Sequence, residues 1–120
     1  MSTTETTFNV EAFRRGIEDR DAAALIDLYG DDAELRIVDR TSPPSSPRVL
    51  SGKQAVAAYL TDVCARDMTH HLERFVVQGD TAAYLESCRY ADGTRVLCSA
   101  VLDLAGGRIM RQVGVQAWDE

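Results

Sequence analysis

The sequence predicts a single α+β domain, helical in its first half and β-stranded in its second. Three observations carry this. Apolar residues recur at helical spacing up to about residue 65, as with Val10, Phe13 and Ile17 at i, i+3 and i+7. From Thr69 onward the chain turns into runs of β-forming residues. Gly79-Asp80, Asp92-Gly93 and Gly106-Gly107 divide those runs at regular intervals, as the turns of an antiparallel meander would. A chain of 120 residues leaves room for one such domain and no second.

Met1–Thr7 is rich in Ser and Thr and lacks a basic segment followed by an apolar one, so it reads as a frayed tail ahead of a domain over residues 8–120. Without a secretion signal the expected location is the cytoplasm. Asn9 is placed to cap a helix over Val10 to about Arg20, and Asp21 to cap a short helix over Ala22–Tyr29 that Gly30 would end. Glu34–Arg40 alternates, with Leu35, Ile37 and Asp39 on one side, and reads as a strand. The prolines and serines of Thr41–Pro47 exclude helix or central strand and predict a surface loop, a connector or a lid. Ser51-Gly52-Lys53-Gln54 matches a capping box for a helix ending near Ala65. Thr69–Gln78, Thr81–Tyr90, Arg95–Leu104 and Arg108–Trp118 are the four expected meander strands.

The balance of 13 basic and 19 acidic residues gives a net charge of −6, which repels a phosphate backbone and an anionic membrane. No apolar run approaches the roughly 20 residues of a spanning helix. Nucleic acid and membrane are therefore not expected partners. Cys64, Cys88 and Cys98 have no metal-ligand spacing and are expected as reduced thiols, though Cys88 and Cys98 lie close enough in the pattern for a cross-strand disulfide. There is no phosphate-cradling glycine loop, nucleophile elbow or dinucleotide fingerprint, so no cofactor and no metal are expected.

The order of elements, with FRRGIEDRDAAALIDLYGDD over Phe13–Asp32, SGKQAVAAYL over Ser51–Leu60 and the final GGRIMRQVGVQAWD, resembles the nuclear transport factor 2-like superfamily and its SnoaL-like branch. The resemblance implies a cone-shaped α+β barrel: a strongly curved antiparallel sheet packed on about three N-terminal helices, with a pocket between them and a homodimer formed through the sheet. Ketosteroid isomerase shares this layout and works with an Asp base, a Tyr and a protonated Asp. Those three positions fall here on Ile37, Phe13 and Ala100, all apolar, so that constellation is not expected to operate.

The remaining candidates for chemistry are few. Asp39, at the end of an apolar strand face, is a candidate general base with a raised pKa; its bland alternative is a solvated carboxylate pairing with Arg36 or Arg40. His70 and His71 point to opposite faces of one strand, and the resemblance favours His70 as the one looking inward. A two-residue Asp92-Gly93 turn would put Ser87, Arg89, Val96 and Cys98 on one face, making Arg89 a candidate anion stabiliser; Arg89 and Arg74 are otherwise solvated arginines. Phe13, Ile37, Tyr59, Cys98, Ala100, Leu102 and Trp118 are the expected pocket wall, with a dimer interface as the alternative for Trp118. Three functions remain open: a cofactor-free isomerase, cyclase or dehydratase using Asp39, His70 and Arg89; a non-catalytic binder of a small hydrophobic ligand; and a dimeric interaction module.

Overall fold

Asn9 lies in extended backbone, and its side-chain oxygen accepts a hydrogen bond from Ala12 N at 2.9 Å. That cap opens α1, Val10–Glu18, in the computed structural model, which describes residues 7–119. The expected tail, apart from Thr7, lies outside the described residues. Phe13 and Ile17 bury the predicted stripe of α1. Asp21 caps α2, Ala22–Ile26, through Ala24 N at 3.1 Å.

The second helix stops earlier than its pattern suggested. Tyr29 and Gly30 belong instead to β1, Tyr29–Val38. Gly30 therefore does not end a helix. It is buried, and a Cβ there would meet Met110 Sδ of the neighbouring strand at 2.5 Å, so a larger residue would have to displace that side chain. Ala33, Leu35 and Ile37 face inward. A short strand that the alternation did not announce follows the proline loop: β2, Arg48–Ser51, pairs antiparallel with Glu34–Ile37 of β1. Four residues at a sheet edge carry too little periodicity to be read.

The expected capping box does not form. Ser51 is held in β2 opposite Glu34, and α3, Lys53–Ala65, starts from Gly52 at φ +89° with no side-chain cap. Glycine reaches that backbone region without steric cost, and that is what the corner uses.

The meander then follows as the turn signals indicate: β3 Met68–Gln78, β4 Thr81–Tyr90, β5 Arg95–Ala105 and β6 Arg108–Trp118. The sheet order is β2-β1-β6-β5-β4-β3. Two features of the expected barrel are corrected here. The sheet is mixed, because β1 runs parallel to β6. It is also open, because β2 and β3 remain as edges instead of pairing with each other. The architecture is an α+β cone with the three helices on the concave face.

Register shifts bend β3 between Leu72 and Arg74, and β5–β6 between Asp103 and Leu104. At the first, α1 takes up the backbone groups of Leu72. Its N–H donates to Glu18 Oε2 at 3.0 Å, and its carbonyl accepts from Arg14 Nη1 at 2.9 Å. No polar backbone group of Leu72 is left stranded at the bend, and α1 is tied to the sheet.

Phe13, Leu25, Tyr29, Leu35, Leu72, Leu102 and Ile109 form the core between helices and sheet. Leu102, expected as pocket wall, is fully buried within it. Truncation to Ala should therefore cost about 2–5 kcal/mol of stability in denaturant titration.

Candidate functional site

Along β4, Ala82, Tyr84, Glu86 and Cys88 alternate onto the inner face. β3 contributes Met68 and His70 there, and β5 contributes Val96 and Cys98. These side chains and the helices enclose a cavity of about 120 Å³. Of the residues anticipated from sequence, Phe13, Ile37, Tyr59, His70, Cys98 and Trp118 line it.

Ala100, Leu102, Asp39 and Arg89 do not. Ala100 is buried between Tyr84 on one neighbouring strand and Gly114 on the other, and its single methyl does not reach the cavity. Asp39 instead borders a shallow groove with Arg40, Gln116, Trp118 and Asp119. Its carboxylate accepts from Thr41 N at 2.9 Å and Thr41 Oγ1 at 3.0 Å. Burial pushes its pKa upward, but the hydrogen bonds from Thr41 and Ser42 together outweigh that and hold it below the ordinary value. It forms a turn and is poorly suited as a base. Arg36, one of its suggested partners, pairs with Glu34 at 3.0 Å instead.

Arg89 is exposed on the outer face, opposite Thr69 and Arg95. The cause is one residue of loop. Tyr90 N donates to Thr94 O and Gly93 N to Tyr90 O, so the hairpin turns on Ala91, Asp92 and Gly93, with Gly93 at φ +94°. A two-residue turn would have put Arg89 opposite Val96. The longer turn puts Cys88 there and leaves Ser87 and Arg89 outside. His71 and Arg74 are exposed as well, and His71 Nδ1 lies 3.1 Å from Glu18. No residue of Thr41–Pro47 lines the cavity, so the loop acts as a connector in this state.

The inner face carries two polar groups that the pattern had not assigned. In the first, His70 Nδ1 lies 2.9 Å from Glu86 Oε2 and 3.3 Å from Cys88 Sγ, and the Cys88 thiol donates to Glu86 Oε2 at 3.3 Å. The His70 and Glu86 side chains are 6% and 12% exposed. His70 Nε2 is buried without a hydrogen-bond partner among the described residues. The neighbouring Cys98 thiol and burial both hold the Cys88 thiol far above its usual range. All three cysteines are free thiols, so the possible Cys88–Cys98 disulfide is not formed.

The second group is built on Gln112, the buried polar residue among the described residues of the core. Tyr29 OH donates to Gln112 Oε1 at 2.5 Å, and Gln112 Nε2 donates to Tyr84 OH at 2.9 Å. Burial, with the Glu86 carboxylate nearby, drives both phenols well above their ordinary pKa and keeps them protonated. Nearer the mouth, Gln116 donates to Tyr59 OH at 3.4 Å and accepts from Trp118 Nε1 at 3.0 Å. Arg48 stacks over Tyr59 and Arg40 over Trp118, at 5.2 and 4.2 Å from the ring centroids. Anchoring the alternation of β4 on Ala82 and Tyr84, instead of on the turn, would have pointed to Glu86 and Cys88.

A family model described as SnoaL-like domain matches residues 10–112. None of the curated proteins matches the chain. Among solved structures, an NTF2-like protein of unknown function from Mesorhizobium loti superposes with a TM-score of 0.79 at 23% identity, over 90% of this chain and 87% of that one. An NTF-2 like protein of unknown function from Burkholderia xenovorans gives 0.76 at 17% identity, over 90% and 79%. A LEH-like epoxide hydrolase from M. tuberculosis gives 0.66 at 17% identity, over 90% and 79%. At such identities the likeness is one of fold.

Burial pushes the Tyr59 phenol up to about 12. A pKa raised by folding stabilises the native state below the unfolded value, about 10 for tyrosine, and that contribution is lost as pH rises toward the folded value. Stability should therefore decline above about pH 10, with Tyr59 phenolate absorbance appearing only near pH 12. Tyr59→Phe should remove that absorbance and flatten the decline.

Proposed function

We infer a function from one premise: the chain belongs to the SnoaL-like domain family. Within that family it is a small-molecule pocket protein. Our reading is a cofactor-free acid–base enzyme that isomerises, dehydrates, cyclises or hydrolyses a small hydrophobic substrate. The observation that carries it is the part-buried His70–Glu86 pair on the cavity wall.

Glu86 beside Nδ1 favours the tautomer with its proton on that nitrogen, which leaves a lone pair on Nε2; that atom is buried in the wall, so it accepts a proton only when the wall opens to substrate. Glu86 then stabilises the imidazolium, and Asp39, first expected as a general base beside His70, has no part in it. Tyr84 accepts its hydrogen bond from Gln112, so its own O–H is left to donate to a substrate oxygen on which charge develops. Phe13, Ile37, Tyr59 and Trp118 supply the apolar wall that excludes water and selects a hydrophobic body. The aromatic-stacked Arg40 and Arg48 stand near the rim, where an anionic substituent would find them.

The second reading, a non-catalytic binder, is favoured by the apolar Ile37 and Ala100 at the isomerase carboxylate positions. Screening of epoxides and small enolisable carbonyl compounds by chromatography and NMR, which register isomers as well as changes of mass, separates the two. For an enzyme, a compound is converted, and His70→Ala lowers kcat/KM by about 10²–10⁴-fold. Unchanged conversion by His70→Ala would sink the assignment. A compound that raises the melting temperature and is recovered intact points to the binder.

The outer sheet face exposes Val76, Leu85, Leu97, Val101 and Val113. We read it as the surface of a homodimer, since monomers rarely leave a broad apolar area open to water. Equilibrium sedimentation should give a dimer at micromolar concentration, shifted toward monomer by Val101→Glu; a monomeric wild type would overturn this.

A further inference from the structure

We propose that His70, Glu86 and Cys88 bind a zinc ion in the cavity wall. The proposal does not depend on the pocket being catalytic. It starts from a triangle of donor atoms: Nδ1 to Oε2 at 2.9 Å, Nδ1 to Sγ at 3.3 Å, and Sγ to Oε2 at 3.3 Å. Zinc binds nitrogen and oxygen at about 2.0 Å and sulfur at about 2.3 Å in a tetrahedron. Those lengths set the edges of a ligand triangle at about 3.3 Å for N···O and about 3.5 Å for N···S and O···S. Each observed edge is shorter by only about 0.2–0.4 Å, so a small rotamer adjustment converts the hydrogen-bonded triangle into a coordination face.

The donors come from two paired strands, which fix their spacing. His70 of β3 lies directly across from Cys88 of β4, and Glu86 is two residues along the same face. Sequence spacing gave no hint of this, because a metal motif within one helix or knuckle has short gaps and this one crosses between strands.

Charge argues the same way. Glu86 is part-buried, its side chain 12% exposed, and His70 is its only ion-pair partner among the described residues. Arg66 also lines the cavity, but its guanidinium is taken by Asp62 at 2.6 Å and Tyr90 at 3.0 Å. A buried carboxylate without a permanent cation is costly, and an ion would neutralise it. One imidazole, one carboxylate and one thiolate suit zinc and disfavour Mg²⁺ and Ca²⁺, which need oxygen ligands. On binding, the Cys88 thiol releases its proton to solvent. Three protein ligands leave the fourth position to the cavity, where the three donor residues are wall. The ion would take Nδ1 and the Glu86 carboxylate, the pair on which the acid–base reading relies to stabilise the imidazolium, so proton transfer and metal binding exclude one another at this cluster.

The test uses the full chain, stripped of metal by a chelator, with zinc measured by competition against a chromophoric chelator and cobalt as a spectroscopic substitute. One equivalent of zinc should bind, Mg²⁺ should not displace it, and cobalt should show a thiolate charge-transfer band. Cys88→Ser should remove the band and weaken zinc by at least about 100-fold, since loss of an outer partner alone costs 10–100-fold. Should that variant fail to fold, His70→Gln should weaken zinc to the same extent. Cys64→Ser, outside the triangle, should bind as the wild type does. Absence of saturable binding, a band that survives Cys88→Ser, or a Cys64→Ser variant that loses the ion would each overturn the site. Conversion of substrate by the metal-stripped protein bears only on the acid–base reading, so the two fail separately.

Discussion

The chemistry of this protein depends on the alternation of β4 against its neighbours. One face of that strand carries Tyr84, Glu86 and Cys88 into the cavity, while the other carries Ser87 and Arg89 to solvent. Side chains alternate with a period of two, so a one-residue change of register exchanges the two sets. The three-residue turn at Ala91–Gly93 sets the register with β5, and the direct opposition of His70 and Cys88 sets it with β3. His70, Glu86 and Cys88 meet only because both registers are as they are.

The rest of the fold keeps that face bent and covered. The irregularity at Leu72–Arg74 interrupts β3 just beyond His70, and α1 takes up the backbone of Leu72 through Glu18 and Arg14. A bulge whose polar groups are satisfied by a helix makes a fixed corner. Phe13 lies against Phe8, Phe75 and Tyr84 with ring centroids 5.3–5.8 Å apart, closing one end of the space. Tyr90 stacks on Trp118 at 5.5 Å near the other. Between these ends the polar groups are held by one another: Gln112 fixes two phenols, and Glu86 is shared by His70 and Cys88. Such mutual satisfaction is what allows polar side chains to be buried at all.

The same site shows how far a fold leaves chemistry open. The positions that the resemblance gives to the isomerase carboxylates hold Ile37 and Ala100, and the polar groups of this cavity stand on other residues of β3, β4 and β6. Within one concave frame, exchanging an apolar for a polar residue at an inward position changes the reaction that the cavity can host and leaves the core intact. Asp39 illustrates the converse. It lies on the strand face that leads toward the cavity, but past the end of β1 its carboxylate is engaged by the turn at Thr41 and Ser42.

By itself the sequence determined the class of the domain, the order of its helices, the four meander strands and the caps at Asn9 and Asp21. These follow from local periodicity and from residues that satisfy their own backbone. It also marked most of the apolar wall, because Phe13, Ile37 and Tyr59 sit on strongly patterned elements. Tertiary structure alone decided the parallel β1–β6 pairing, the short edge strand β2 and the close approach of Met110 to Gly30, each of which depends on a neighbour distant in sequence. It also decided the composition of the polar site. His70, Glu86 and Cys88 meet through strand registers, and register is set by turn length and by packing against the helices, neither of which the order of residues states directly.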